Sequence, residues 1–391
     1  MTDQAHPPGA LRAVALAAAA TLITVVEFSL TAPVIVVELA GRGHTGLEIG
    51  AYATAPFLML LLVSPFAPDI RARLGDALTL RIGLALATLS AGLTPLVDGL
   101  WAWAALDIAG GLAAALLWGI AERAVARHAP AGKVGQATGL YQTALAAAFM
   151  IGPLLALAAP LEFRGLLWLG AAIALAAWAP IVWPGALAGL GKTDEHSDIA
   201  AAWKTVLAAA PALLVAALLG GVYETGVGPI ATAFAARHLG ELAVALPAVL
   251  AAGSLLAQWP IGLLADKVGV GRMLVATILS LAGAGALFAF ADAAPWLIWP
   301  LAAIWGAIGG GLYTLVMIQV GVTLRAAAAT ATAAVVTTYT LGGAIGPPAT
   351  GAANDLAGTV GVGVVLAALS LGALVGWRLL SKQPAASLQT P

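Results

Sequence analysis

Residues 258–272 of the chain read QWPIGLLADKVGVGR and form a short charged stretch between two long apolar runs, 242–265 and 273–291. Gly262 has no Cβ, so it would let two helix ends approach each other closely. Gly269 can turn the chain where one helix ends and the next begins. The stretch therefore predicts two membrane-spanning helices that are joined by a tight turn.

The charges of this turn are also informative. Asp266 can accept hydrogen bonds, or it can pair with Lys267 and Arg272. A compact charged turn of this kind suits a pair of helices that moves at the membrane surface. We therefore expect the turn to act as a gating loop.

The composition of the chain indicates a polytopic membrane protein. Hydrophobic residues make up 61% of the sequence, charged residues 9%, and the mean hydropathy is +0.99. Soluble domains carry about 25% charged residues. The net charge of −1 gives no reason to expect a nucleic acid partner, and the absence of cysteine excludes disulfides.

A bilayer-spanning helix needs about 20 apolar residues, and turn residues and charges divide the chain into twelve such runs. The predicted fold is therefore all-α. The predicted spans are 11–40, 47–67, 77–97, 101–125, 133–158, 163–187, 204–236, 242–265, 273–291, 295–320, 327–352 and 357–380.

The positive charges predict the orientation of these spans. If the amino terminus is cytoplasmic, 14 Lys and Arg residues lie inside and 3 lie outside, namely Arg42, Arg164 and Arg237. Cytoplasmic loops carry the excess of Lys and Arg in membrane proteins. Both termini are therefore expected in the cytoplasm.

The sequence repeats its landmarks once, with an offset of about 195 residues. Glu27 precedes a proline by six residues and Glu224 precedes one by five. Further pairs are Asp69 with Asp266, Asp98 with Asp292, and Gly152-Pro153 with Gly346-Pro347. Chance alignment of Ala-rich and Gly-rich helices is the alternative. We expect a six-helix unit over 1–187, a cytoplasmic linker over 188–203 and a second six-helix unit over 204–391.

The charged stretch resembles the loop signature of the major facilitator superfamily, G-x-L-x-D-[RK]-x-G-x-x-R. It matches at Gly262, Leu264, Asp266, Lys267, Gly269 and Arg272. Three segments are similar to the YcaD-like bacterial branch: Trp118–Glu122, Gln258–Gly269 and Gly342–Pro347. The resemblance implies two pseudo-symmetric six-helix bundles, a substrate site between them and secondary transport across the bacterial cytoplasmic membrane.

The chain departs from the family pattern in two places. The first-half loop, PFAPDIRARLG at 65–75, keeps Asp69, Arg71 and Arg73 but lacks the glycine before the aspartate. Many relatives carry an arginine in the fourth span where this chain has Asp107. We include the three charged residues of the first-half loop among the gating residues, and we expect anionic chemistry at Asp107.

Four acidic residues lie within predicted spans, namely Glu27, Asp107, Glu122 and Glu224. A charge at the bilayer centre costs roughly 3 kcal/mol or more and usually faces a cavity or a partner. For Glu122 we favour a surface ion pair that latches the cytoplasmic side. Glu27, Asp107 and Glu224 are predicted to bind protons or solute, with Tyr223 and Tyr339 beside them. A role as a cap alone is the alternative for Asp107.

Two Gly-Pro pairs extend the resemblance. Gly342-x-x-x-Gly346-Pro347 offers a small-residue face for helix contact, and Gly152-Pro153 is its weaker counterpart. In the family such a motif accompanies proton-coupled efflux. Ordinary packing of glycine-rich helices explains the pattern equally well.

These residues favour a proton-driven exporter of a small neutral or cationic solute, because no Lys or Arg lies centrally in any predicted span. A proton symporter or uniporter for a small metabolite is one alternative. A non-transporting receptor or scaffold is another.

The sequence gives no sign of an enzyme. It has no H-E-x-x-H, no G-x-S-x-G and no cysteine nucleophile. We predict no metal or organic cofactor. The expected partners are the lipid bilayer, a small solute and protons, and we expect a monomer.

Overall fold

The computed structural model describes residues 9–129, 133–190, 198–324 and 327–381. Ala and Leu, which favour helix, dominate the sequence, and the principal elements are helices. They are α1 Ala10–Gly41, α2 Gly46–Val63, α3 Ala67–Leu74, α4 Asp76–Leu93, α5 Leu100–His128, α6 Val134–Ala158, α7 Phe163–Ala176, α8 Ile199–Ala209, α9 Ala212–Gly221, α10 Gly228–Leu239, α11 Leu246–Val268, α12 Val270–Leu287, α13 Ile298–Leu324 and α14 Ala328–Leu380.

Glycines with a positive φ break the helices at matching places in the two halves. Gly75, with φ 81°, separates α3 from α4, and Gly269, with φ 97°, separates α11 from α12. Gly43 and Gly240 form a second such pair, with φ 83° and 62°. Only glycine adopts this conformation at no steric cost. The repeat seen in the sequence therefore has a counterpart in the backbone.

The helices form two compact units. One unit combines Met1–Val34 with Leu58–Ser197, and the other combines Ile35–Phe57 with Asp198–Pro391. The predicted boundaries, 1–187 and 204–391, differ from this grouping because the end of α1 and the start of α2 pack with the second unit.

Each unit has its own core. In the first unit Ala17 on α1, Leu84 on α4 and Ile120 on α5 belong to one buried apolar cluster. In the second unit α11 packs against α13, where Gly306 lies directly on the backbone of Leu250. Small residues allow this close packing of helix backbones.

Ten helical segments of the described chain are long and apolar enough to cross a membrane. Two of them, Ala212–Val268 and Ala331–Leu380, contain 57 and 50 residues, which is more than twice the length that one span needs. The second is interrupted at Ala357 and Gly358, whose backbone is not helical. The chain is therefore a multi-pass membrane protein.

The predicted start of the seventh span at Lys204 is wrong. Lys204 lies inside α8, a separate helix that ends before Pro211, and the next helix begins at Ala212. Proline restricts the residue before it and often ends a helix. Residues 191–197 of the predicted linker lie outside the described residues, as do Lys192, Arg325 and Lys382 of the inside set.

Candidate functional site

Glu224 lies in a π-helical turn, Val222–Gly226, between α9 and α10. The Tyr339 hydroxyl donates to Oε2 of Glu224. The Ser254 hydroxyl donates to Oε1 at 3.4 Å, and Nε2 of Gln258 donates to Ser254 Oγ at 3.2 Å. Single π-turns inside helices occur frequently at functional sites. Both carboxylate oxygens of Glu224 are thus held by side chains from other helices.

Glycines make this arrangement possible. A methyl group on Gly310 of α13 would lie 3.2 Å from Oε1 of Glu224, and one on Gly309 would lie 3.2 Å from its backbone nitrogen. On the side of α14, a methyl group on Gly346 would lie 2.8 Å from Cα of Gly226. Two helices therefore approach the turn more closely than larger residues would permit.

The two tyrosines predicted beside Glu224 have different surroundings. The ring of Tyr339 lies 4.9 Å from the ring of Tyr313, so an aromatic pair adjoins the carboxylate. The Tyr223 hydroxyl is fully buried and lies 2.8 Å from the Leu281 carbonyl oxygen and 3.1 Å from Ser370 Oγ. Tyr223 therefore joins α12 and α14 through hydrogen bonds that do not include Glu224.

Glu27 is 8% exposed and lies on α1, which continues without a break through Pro33. The Thr31 hydroxyl donates to Oε1 of Glu27 at 3.1 Å from one turn along the same helix. The charge of Asp107, which is half-buried on α5, acts on Glu27. The regular α-helix is thus interrupted at Glu224, before Pro229, whereas it continues unbroken from Glu27 through Pro33.

The Gly-Pro pair of the first half packs against the helix that carries Glu27. A methyl group on Gly152 would lie 2.5 Å from the backbone nitrogen of Leu30. Ser29 also donates to the Ala148 carbonyl at 3.1 Å. Pro153 follows in the interior of α6.

In the second half, the matching residues of α14 contact the helix turn that carries Glu224. Gly342 lies against Leu218 and Val222, and Pro347 Cδ would lie 3.3 Å from a methyl group on Gly226. The two Gly-Pro pairs therefore occupy equivalent positions relative to the two carboxylates.

Glu122 contacts the next helix of its own unit. Nε2 of Gln142 donates to Oε1 of Glu122 at 3.1 Å, and the neighbouring charge of Arg123 acts on the same carboxylate. The charge of Glu122 also acts on Tyr141. Glu122 is thus held by a polar cluster that links α5 and α6.

The first-half loop is buried at its centre. Arg71 is 1% exposed, and its Nε lies 3.8 Å from Oδ1 of Asp76, which is also buried. Asp69 is half-buried, whereas Arg73 on the same short helix is exposed. The ion pair with Asp76 was missed in the sequence because the family pattern directs attention to Asp69.

The second-half loop is open by comparison. Asp266, Lys267 and Arg272 are exposed. Among the described residues, none of these three side chains takes part in an ion pair. No described residue from elsewhere would lie within 4 Å of a methyl group on Gly262. The predicted close approach at Gly262 is therefore absent from this structure, while the predicted turn at Gly269 is present.

The described residues contain no group of three or more His, Asp or Glu side chains that could hold a metal ion. Two residues of the Glu224 site, Ser254 and Gln258, were missed in the sequence. They lie four residues apart in an apolar run of α11, and that spacing places both on one helix face. This four-residue spacing was the feature of the sequence that could have indicated that the two side chains act together.

Comparison with solved structures shows which known fold the chain shares. The chain superposes on the nucleoside transporter NupG with a TM-score of 0.76 and 15% sequence identity over 97% of this chain and 100% of NupG. A mutant of NupG gives the same TM-score, with 14% identity over 96% and 100% of the two chains. A search of curated proteins gave no match.

The sequence profile described as Major Facilitator Superfamily matches residues 17–347, which is most of the chain. The chain also has the all-helical, multi-pass fold of a solved transporter. Because of the family match, the protein is a transporter and not an enzyme. The chain therefore belongs to the Major Facilitator Superfamily.

Proposed function

We propose that the chain is a proton-coupled exporter of a small neutral or cationic solute. The observation that carries the proposal is the half-buried Glu224 carboxylate, which is held by Tyr339 and Ser254 from two other helices. A carboxyl in a low-dielectric site can exist as the neutral acid. A proton and a solute would then compete for the same group.

The proposed transporter works by alternating access of two six-helix bundles. The two segments of 57 and 50 residues each supply two spans, which raises the ten candidate segments to twelve. Transporters of this design bind solute near the membrane midplane, where the repeats meet. Both termini lie in the cytoplasm of a bacterial cell, and the chain acts as a monomer in its inner membrane.

Within this scheme Glu224 and Tyr339 bind proton and solute in the second half. Glu27 and Asp107 have the same role in the first half, where Asp107 acts electrostatically on Glu27. Tyr223 supports the site through packing, because its hydroxyl bonds to a separate set of atoms. The loops around Arg71 and Asp266 change their contacts as the bundles move.

A neutral or cationic solute fits the charges of the site. The groups around Glu224 are hydroxyls, one amide and two aromatic rings, namely those of Tyr313 and Tyr339. A cation gains from a carboxylate and from an aromatic face. An anion would be repelled by the acidic charge.

Import by proton symport is the second candidate. NupG is described as a nucleoside transporter, and the two chains share a fold over nearly their whole lengths. The aromatic pair beside Glu224 would accept a flat ring. Export and import differ in the direction of solute flux relative to the proton gradient.

The test uses the purified protein in vesicles with an imposed pH gradient. Ethidium serves as an apolar cation and labelled uridine as a neutral nucleoside. Export predicts that ethidium moves against the direction of proton flow, and that Glu27→Gln and Glu224→Gln variants lose this coupling. Asp292→Asn is the matched control, because Asp292 accepts from Thr359 at 2.7 Å and neither carboxylate is among its described hydrogen-bond partners.

Uridine that moves with the protons would favour the symporter. Transport that is unchanged in both carboxylate variants would remove them as proton carriers. A protein that moves neither probe, with or without the gradient, and that shows no proton flux would favour the receptor alternative.

A further inference from the structure

The second unit contains a contact between α2 and α14 that the proposed transport site does not use. Asp355 of α14 accepts from the backbone nitrogens of Gly46 and Leu47, at 2.6 and 2.8 Å. These are the first two residues of α2. Asp355 therefore caps the amino-terminal end of a helix that lies more than 300 residues away in sequence.

The other free amide groups of this helix end are satisfied locally. The Thr45 nitrogen donates to Oε2 of Glu48 at 2.9 Å, and the Glu48 nitrogen donates to Thr45 Oγ1 at 3.2 Å. This reciprocal pair is a capping box. The first amides of any helix need acceptors, and for Gly46 and Leu47 the acceptor comes from α14 alone among the described contacts.

Along the same face the two helices touch with their backbones. A methyl group on Gly46 would lie 2.6 Å from the Gly351 carbonyl oxygen, and one on Gly50 would lie 2.7 Å from the Pro347 carbonyl carbon. One turn further, the Thr54 hydroxyl donates to the Ala344 carbonyl at 2.8 Å. The contact thus repeats every four residues of α2, and Asp355 stands at its end.

We propose that Asp355 is a gating residue that holds α2 against α14 when the predicted outer side of the transporter is closed. Negative charge is stabilising at a helix amino terminus. Asp355 is exposed, so water can replace the two hydrogen bonds when the helices separate. The contact is therefore reversible, as a gate requires. The proposal does not depend on proton coupling, direction or solute.

A labelling experiment tests the gate directly. The chain has no cysteine, so a Thr54→Cys variant carries one thiol, placed between α2 and α14. The full-length protein in intact cells is treated with a membrane-impermeant maleimide from the outside. Loss of an amino-terminal cap costs about 1 kcal/mol, which corresponds to about a fivefold change in an equilibrium. Asp355→Ala should therefore raise the labelling rate about fivefold, and Asp355→Asn should raise it less.

Two controls make the result specific. Asp292→Ala removes an acid near the same helix ends that bonds to Thr359 and faces His238, and it should leave the rate unchanged. A Leu242→Cys reporter, 54% exposed between α10 and α11, measures access from this side and should react equally in all backgrounds.

An unchanged rate at Thr54→Cys in both Asp355 variants, with Leu242→Cys labelled normally, would overturn the proposal. An equal rise in the Asp292→Ala background would also overturn it, since the effect would then be general loosening. Because the assay needs neither solute nor pH gradient, its failure is distinct from failure of the proposed exporter.

Discussion

Glu27 and Glu224 occupy matching places in the two halves of the sequence, but the side chains around them differ. Glu27 takes its hydrogen bond from Thr31, on its own helix. Glu224 is held by Tyr339 and Ser254, which belong to two other helices. A sequence repeat therefore preserves the position of an acidic residue without preserving its partners. Of these two carboxylates, Glu224 is the one whose hydrogen bonds connect different helices.

The two charged loops differ in the opposite sense. The first-half loop buries Arg71 beside Asp76, whereas Asp266, Lys267 and Arg272 of the second-half loop are exposed. The better match to the family signature is thus the loop with the fewer contacts. A signature that serves two conformations need not be packed in both of them.

The largest expected difference between the halves is at these loops. Arg71→Gln should lower the free energy of unfolding by about 3 kcal/mol, because it removes a buried cation from beside the buried Asp76. Arg272→Gln, which removes an exposed charge, should have no measurable effect. Thermal unfolding of the purified variants in detergent measures both. Equal loss of stability in the two variants would contradict the difference between the loops.

The Gly-Pro pairs should behave alike in both halves. Gly152→Ala and Gly346→Ala each place a methyl group against backbone of the helix that bears the carboxylate. Overpacking of this kind costs about 2 kcal/mol. Thermal unfolding should show a similar loss for both variants. A large loss for one variant alone would break the equivalence of the two pairs.

Gly262→Ala is the matched control for these substitutions, because nothing described lies within 4 Å of the new methyl group. It should leave stability unchanged or slightly raised, since alanine favours helix. If transport nevertheless falls in this variant, Gly262 is packed in the other conformation of the cycle. That result would restore its predicted role as a point of close approach.

The sequence predicted the features that depend on local chemistry. Apolar length gives the helices, and glycine gives the turn at Gly269. Glu224 and Tyr339 stood out individually, because each is unusual within an apolar run. Their hydrogen bond was not predictable, since it depends on the rotation of two helices about their axes.

Contacts between distant segments were the hardest to predict. Asp355 caps Gly46 and Leu47 across more than 300 residues, and an exposed aspartate near a helix kink gives no sign of that partner. Gly262 is the opposite case, in which a contact was predicted and is absent. Its residue type predicts a close contact, but one conformation of a moving protein need not contain it.

The smallest expected effects concern the single hydrogen bonds to the two carboxylates. Tyr339→Phe removes a donor that reaches Glu224 from α14, which should cost about 1 kcal/mol, or about a fivefold loss in kcat/KM for ethidium transport. Thr31→Val should change kcat/KM less than about twofold. The Thr31 hydroxyl is shared between Oε1 and the carbonyl oxygen of Glu27, both at 3.1 Å, so less of its interaction is specific to the carboxylate.

Tyr223→Phe separates a role in transport from a role in packing. Its hydroxyl bonds to Leu281, Leu366 and Ser370, so its removal should lower thermal stability and leave the pH profile of transport unchanged. Tyr339→Phe should alter the pH profile, because it changes the surroundings of the group that is proposed to carry the proton. If Tyr223→Phe changed the profile and Tyr339→Phe did not, the assignment of the two tyrosines would be reversed. The network around Glu224 would then have to be explained as packing alone.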